Sequence, residues 1–340
     1  MTIPYVSIIV TAFKERPYIL AALESTINQT VTTELYEVIL VTNYINPELL
    51  CYVKQNNIEI IQIPDTSQGV KIIEALKLAR GEIISFLEDD DLFSNTKIAT
   101  IMQTFQENPN LCFYHNMATF IDAGSNAILP PPLLRRHIEN MNSITSVLLR
   151  NRDEIREEAE RNRVNFAFNL SSISVRREML DKYSDLICSS PLGMDVLLYI
   201  ISVVYGGQIL ADNRKLSYFR FHDKNSSLKS KVNSSDKLHG MDHILFTNLC
   251  TRKIALDASM MTKEERIIRP RANYYYLSKI LYMIFKGNAK RDIIAIYLLK
   301  YLQNSTFSTI TTRLDVLFYS VVNLFSPRLA TSFFLKRYLN

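Results

Sequence analysis

A chain of 340 residues with 47% apolar content and a net charge of +5 is long and apolar enough for one large domain and an extension, and it is not the composition of a disordered or fibrous chain. The four scattered cysteines (Cys51, Cys112, Cys188, Cys250) have no C-x-x-C spacing, which excludes a thiolate zinc site and a disulfide framework and suits a reducing compartment. No apolar run reaches bilayer-spanning length and no charged leader precedes the first apolar segment, so neither a membrane span nor a signal peptide is expected.

In chain order, Tyr5 to Ala12 (YVSIIVTA) is a β-branched run that reads as a central parallel strand. Pro17 opens an amphipathic helix to about Asn28, with Ile19, Leu20, Leu23 and Ile27 on one face. Tyr36 to Thr42 is a second strand, Asn46-Pro47 breaks it, and a helix holding Leu49, Leu50 and Val53 follows. Ile58 to Ile63 is a third strand, and Val70 to Arg80 a helix whose positions Val70, Ile73, Leu76 and Ala79 share a face, ended by Gly81. Glu82 to Leu87 is a fourth strand. This strand–helix alternation predicts a doubly wound, mostly parallel α/β sheet with right-handed crossovers.

Beyond Pro109, Leu111 to His115 reads as a strand, Ile128 to Pro132 as a break, Arg150 to Arg163 as an exposed charged helix in an insertion, and Phe166 to Val175 as a strand region. Met194 to Tyr205 is an apolar, buried helix ended by Gly206-Gly207, and Gln208 to Leu210 and Lys215 to His222 are two further strands. From about Lys237 the texture turns helical and basic, with 16 Lys and Arg against 6 Asp and Glu. There Leu314, Leu317, Phe318, Val321, Val322 and Phe325 fall at helical spacing.

The fourth strand empties into Glu88-Asp89-Asp90-Asp91. Adjacent carboxylates at the end of a buried strand are costly to keep ionised, and a divalent cation with oxygen ligands relieves that cost. At the C-terminal end of a parallel strand the cation would lie where α/β proteins bind nucleotides. The plain alternative is a solvated acidic turn that caps the next helix.

Four blocks, SIIVTAFKERPYILAALESTINQT, YEVILVTN, ARGEIISFLEDDD and GMDVLLYIISVVYGGQILADNRKLSYFRFHDKNSS, resemble in order and spacing the inverting family 2 glycosyltransferases of the GT-A fold, from about Val6 to Ser227. The resemblance implies a nucleotide-sugar donor across the C-terminal edge of the sheet, with Thr11 and Arg16 beside the nucleotide. It implies a D-x-D motif in one of two registers, Glu88-x-Asp90 or Asp89-x-Asp91. Asp90 and Asp91, with His222 of the Phe219-Arg220-Phe221-His222 segment, would hold Mn2+ or Mg2+, which offsets charge on the departing β-phosphate. Asp89 would face the sugar or ribose, and Arg220 would hold phosphate or brace its strand. Asp195, after Gly193, falls where the family has its general base, which takes the proton of the acceptor hydroxyl; the alternative is an acid placed there by the helix dipole. Met194 stands where the family often has a further acid. Asn169, Ser171 and Ser172 resemble the acceptor side. Asn43 stands where the family commonly has an acidic nucleobase reader; an amide both donates and accepts, so uridine, guanosine and thymidine all remain open. The segment Ser67 to Ala79 reads as departing from the family's glycine and asparagine pattern, with Lys71 or Glu74 as replacements for a donor contact.

The expected organisation is a GT-A catalytic domain over 1–230 (nucleotide-sugar half 1–115, acceptor half 116–230) and a helical region over 231–340. That region is a lid, a dimer interface or a contact with a membrane surface through its basic helices. The expected activity is metal-dependent inverting transfer from a nucleotide-diphosphate sugar to a glycan or polyprenyl-linked sugar, in the cytoplasm or peripherally on the cytoplasmic face of the membrane. A homo-oligomer is left open, and a nucleic-acid partner is not expected. The rivals are a catalytically degenerate scaffold of the same fold and a sugar nucleotidyltransferase; against the latter, Thr11 to Arg16 contains no glycine.

Overall fold

Strand β1 (Val6–Thr11) is buried along its whole length, as a β-branched run without polar alternation requires. In the computed structural model it pairs in parallel with β2 (Tyr36–Thr42) on one side and β4 (Ile83–Glu88) on the other, and β3 (Glu59–Gln62) adds to β2 as the edge. Residues 4–15, 17–65, 67–130, 146–161 and 168–222 are described, with 276, 279–280, 282–284, 290–303 and 326 further on. The chain divides into two compact units, Met1–His222 and Asp223–Asn340.

The first crossovers follow their sequence signals. Helix α1 (Ile19–Ile27) buries Ala22, Leu23 and Thr26. Helix α2 (Pro47–Gln55) has Pro at its first position and Asn46 as its cap, whose side chain accepts the Leu49 N–H at 2.8 Å. Helix α3 (Gln68–Leu78) is rotated from the expected face: it buries Gly69, Lys71, Ile72, Ala75 and Leu76, leaving Val70 and Ile73 half-exposed.

The reason lies at its N-terminus. The N–H groups of Gln68 and Gly69 donate to the carbonyls of Pro191 and Ser190 at 3.0 and 3.1 Å, and a Cβ on Gly69 would lie 1.9 Å from the Ile187 carbonyl oxygen. The segment Ser67 to Ala79 therefore does carry a required glycine, and its work is close packing against the chain that leads to Asp195. Gly69→Ala is expected to lower unfolding free energy by about 2–3 kcal/mol or more through this backbone clash, read as a drop in the urea midpoint at unchanged m-value.

After β4 come the two-residue strand β5 (Leu92–Phe93) and helix α4 (Lys97–Glu107). Strand β6 (Leu111–Ile121) runs well past the expected end at His115. Strand β7 (Val147–Leu149) precedes a helix over Arg152–Arg161, which is charged as expected but buries Ile155 and Glu158. Of the strand region expected over Phe166 to Val175, Phe166 and Ala167 lie outside the described residues, Leu170–Ser172 is a 3-10 turn, and Ile173–Arg176 forms β8. Short helices over Arg177–Lys182 and Ser184–Cys188 lead to the apolar Met194–Tyr205 helix, bounded as expected and ended by Gly206 in the left-handed region, φ 86°.

The two strands expected after it are one, β9 (Gln208–Arg220). Its polar middle, Asp212 to Lys215, is absorbed by register shifts against Asn116 and Met117 of β6.

The sheet order is β3-β2-β1-β4-β8-β6-β9-β5, with β7 also on β9. Parallel pairing holds from β3 to β4 and again between β6 and β9, while β8, β5 and β7 pair antiparallel. The reversal at β8 positions the site. The residues entering β8 lie at the same edge of the sheet as those leaving β1 and β4.

In the second unit, Arg291–Gln303 is a helix that buries Ile294 and Tyr301 and exposes Ile296 and Leu299. The segment from Leu314 to Phe325 lies outside the described residues. Among the described residues no helix is long and apolar enough to cross a membrane.

Candidate active site

The register of β1 against β4 puts Thr11 beside Glu88, so the loop after β1 and the acidic loop after β4 open at one edge. They are tied together. Asp89 is buried, and its Oδ2 accepts the Phe13 N–H at 2.8 Å. Lys71 is buried beneath the same loop, where its Nζ donates to the Ala12 carbonyl and lies 5.3 Å from the Phe13 ring centroid. Burial pushes the Lys71 ammonium below its ordinary pKa, with Asp89 and Asp65 opposing that shift. Lys14 has φ 60° and donates its N–H to Asn43 Oδ1 at 2.8 Å. Thr11, Asn43, Lys71 and Asp89 are thus gathered around residues 12–14, whereas Arg16 lies outside the described residues.

The next two carboxylates point different ways. Asp90 Oδ2 lies 3.0 Å from His222 Nε2, and the His222 ring packs on Tyr18 with centroids 5.0 Å apart. Asp91 is turned inward: it is 1% exposed, and its Oδ1 accepts the Arg220 N–H at 2.9 Å. Burial, then the Asp90 charge, push Asp91 up to about 7. Glu88 is raised well above the carboxylate range by burial and by Asp90, Asp91, Asp195 and Asp89, which places Asp195 within electrostatic reach of the loop.

Among the described residues no three His, Cys, Asp or Glu side chains converge as a ready-made metal cage. The Asp90–His222 pair offers one carboxylate and one imidazole, a donor set suited to Mn2+ whose remaining positions phosphate oxygens and water would fill.

Arg220, expected at the donor phosphates or as a brace, is 1% exposed and turned to the protein. Its Nε donates to the Asp90 carbonyl at 2.8 Å, and its Nη1 to Asp122 O, Ala123 O and Ser125 Oγ at 3.1, 3.2 and 2.9 Å. Its guanidinium also stacks over Tyr18, 4.6 Å from the ring centroid.

Asp195 lies in the first turn of the Met194–Tyr205 helix, after Gly193 at φ 74°, and its Oδ1 accepts the Val196 N–H at 2.8 Å. Burial pushes its carboxyl up to about 6, opposed by the backbone N–H groups of Val196, Asp195 and Asn169. That value is poised for accepting a proton near neutral pH.

Lys97 has no counterpart in the sequence reading. It is fully buried, donates to Ser171 O at 2.5 Å and Ser217 Oγ at 2.9 Å, and sits 4.0 Å from the Phe93 ring centroid. Ser171 Oγ in turn accepts the Glu88 N–H at 3.0 Å. The signal available for Lys97 was a cation at the head of Ile98, Ile101 and Phe105, an apolar stripe at helical spacing. Tyr18, which packs on both Arg220 and His222, carried no signal beyond an aromatic residue before a helix.

Comparison with known proteins is consistent with this geometry. The sequence matches glycosyl transferase family 2 over residues 7–183. A Haemophilus influenzae protein described as an uncharacterized glycosyltransferase is 24% identical over 282 residues, covering 79% of this chain and 88% of its own. Among solved structures, S. aureus TarS 1-349 in complex with UDP-GlcNAc superposes with a TM-score of 0.53 at 15% identity, covering 88% of each chain. The mannosyltransferase PcManGT from Pyrobaculum calidifontis, in complex with GDP-Man and Mn2+, gives 0.52 at 12% identity, covering 95% of this chain and 87% of its own. The fold is the GT-A type, with a mostly parallel mixed sheet, and the chain belongs to glycosyl transferase family 2.

Proposed function

We propose that this transferase moves a sugar, with inversion, from a nucleoside-diphosphate sugar to an acceptor hydroxyl, with Asp195 as general base and Asp90 and His222 as the protein ligands of Mn2+ or Mg2+. The observation that carries the reading is that the Asp90–His222 pair and a half-buried Asp195, raised to about 6, both lie by the Glu88 end of β4. In the reaction the acceptor oxygen forms a bond to the anomeric carbon as the bond from that carbon to the β-phosphate oxygen breaks. The acceptor proton passes to Asp195 Oδ. A bound cation supplies positive charge against the departing diphosphate. Asp89 and Lys71 hold the loop of residues 12–14 in place, and Thr11 and Asn43 stand at its two ends, toward the nucleotide. Relatives of this fold are known with UDP-GlcNAc and with GDP-Man, and the Asn43 amide suits either base edge.

The acceptor in this reading is a growing glycan or a polyprenyl-linked sugar. The 16 basic against 6 acidic residues from Lys237 onward favour an anionic membrane surface or lipid phosphate beside the second unit. Thermal unfolding with UDP, GDP, dTDP and CMP, each with and without Mn2+, tests the donor. One diphosphate should raise the melting temperature only with metal, by the equivalent of about 2.7 kcal/mol at a hundredfold excess over Kd. Asp90→Ala and His222→Ala should remove that shift. A folded protein that responds to none of the four would overturn the reading.

A further inference from the structure

Asn169 has a backbone conformation that its side chain does not favour: φ 62° with ψ 114°, outside the left-handed helical basin and unfavourable for a residue with a Cβ. The surroundings hold it there. It is buried, its Oδ1 accepts the Ser171 N–H at 3.0 Å, and its carbonyl accepts the Ser172 N–H at 3.0 Å, which closes the turn into β8. Its own N–H lies against the Asp195 carboxylate. Its side-chain amide lies beside the Asp91 carboxyl, and both Asn169 Nδ2 and Asp91 Oδ2 are shut off from solvent in the same buried cluster. The neighbouring Ser171 binds the Glu88 N–H through its hydroxyl and Lys97 through its carbonyl.

We propose that Asn169 is a positioning residue for transfer: its positive-φ backbone turns the N–H onto Asp195 while its side chain stays beside Asp91, so that one strained residue sets the base against the carboxylate loop. This rests on the reading of Asp195 as the base.

The test compares Asn169→Gly with Asn169→Val, reading kcat, donor KM, melting temperature and Mn2+-dependent nucleotide binding. Glycine adopts the observed angles and keeps the backbone N–H in place; valine cannot adopt them. The expected order of kcat is Asn, then Gly lower by roughly 3- to 10-fold, then Val lower by roughly 30- to 100-fold, with donor KM within about twofold of the parent. A packing role predicts the opposite order, because valine fills the site and glycine empties it, and losses that follow the melting temperature. Valine equal to or better than glycine in kcat, or a donor KM effect with kcat intact, overturns the proposal. Should the Val variant not fold, Asn169→Ala keeps the Cβ conflict with less bulk, and the comparison with glycine is read in the same way.

Asp195→Asn, measured alongside, separates the two claims. If that variant keeps its transfer rate, the base assignment is wrong. If it is inactive while the Asn169 variants keep the parent kcat, only the positioning role is wrong.

Discussion

Asp195→Asn is expected to lower the transfer rate by about 10^2- to 10^4-fold, the usual contribution of a positioned general base, while Mn2+-dependent nucleotide binding stays at the parent level. The amide oxygen still accepts the Val196 N–H, so the helix start is preserved and the loss reports chemistry. The pH profile sharpens the prediction. Burial raises Asp195 to about 6, and a base must be ionised to act, so kcat/KM should climb through about pH 6 and level off above it. An unshifted aspartate would put that limb near about 4. In the Asn variant the limb should vanish from the residual rate. A parent-like rate in Asp195→Asn, measured by release of nucleoside diphosphate, would remove Asp195 from the mechanism.

Arg220→Met should cost stability far more than nucleotide affinity: about 3–5 kcal/mol, or roughly 10 °C in melting temperature for a unit of this size. The substitution strips hydrogen bonds from the carbonyls of Asp90, Asp122 and Ala123 at a buried position, and these acceptors then lack the charged donor that matched them. Arg220→Lys restores the charge without the planar fork, so it should recover only part of the loss. A residue that gripped the donor phosphates would give the reverse pattern, weak nucleotide binding at an unchanged melting temperature. The two are separated by calorimetric unfolding of the free protein and titration with nucleotide and Mn2+.

Strands β1, β2 and β4 were legible because a buried parallel strand is a short β-branched run, and Val6–Thr11, Tyr36–Thr42 and Ile83–Glu88 are such runs bounded by turn residues. Periodicity failed where a polar residue is buried for its charge. Lys71 misled the facing of α3, and nothing local marked Lys97, at the head of the α4 stripe, as a buried cation. Strand β9 read as two because Asp212 to Lys215 look like a turn, and only its pairing with β6 shows the irregular register that keeps the strand continuous. For the site, Asp89, Asp90 and Asp91 were visible as a run, yet their division of labour was not. One reaches Phe13, one His222 and one Arg220, partners 76 to 132 positions away that no local pattern encodes.

The antiparallel insertion of β8 beside β4 also governs when the site comes into being. Ser85 and Ser174 meet across 89 residues of chain and β1 meets β4 across 77 (Val6 to Ile83), whereas β1 and β2 pair across only 30 (Val6 to Tyr36). Contacts of long sequence separation form late, because their loops must be closed before they add any stability. On the ribosome the acidic loop is synthesised and its strand can pair before Asn169, Asp195 and His222 have been made. A partly synthesised chain therefore has the carboxylates without Asp195 or His222, and in the proposed reading the site is assembled only when the first unit is complete.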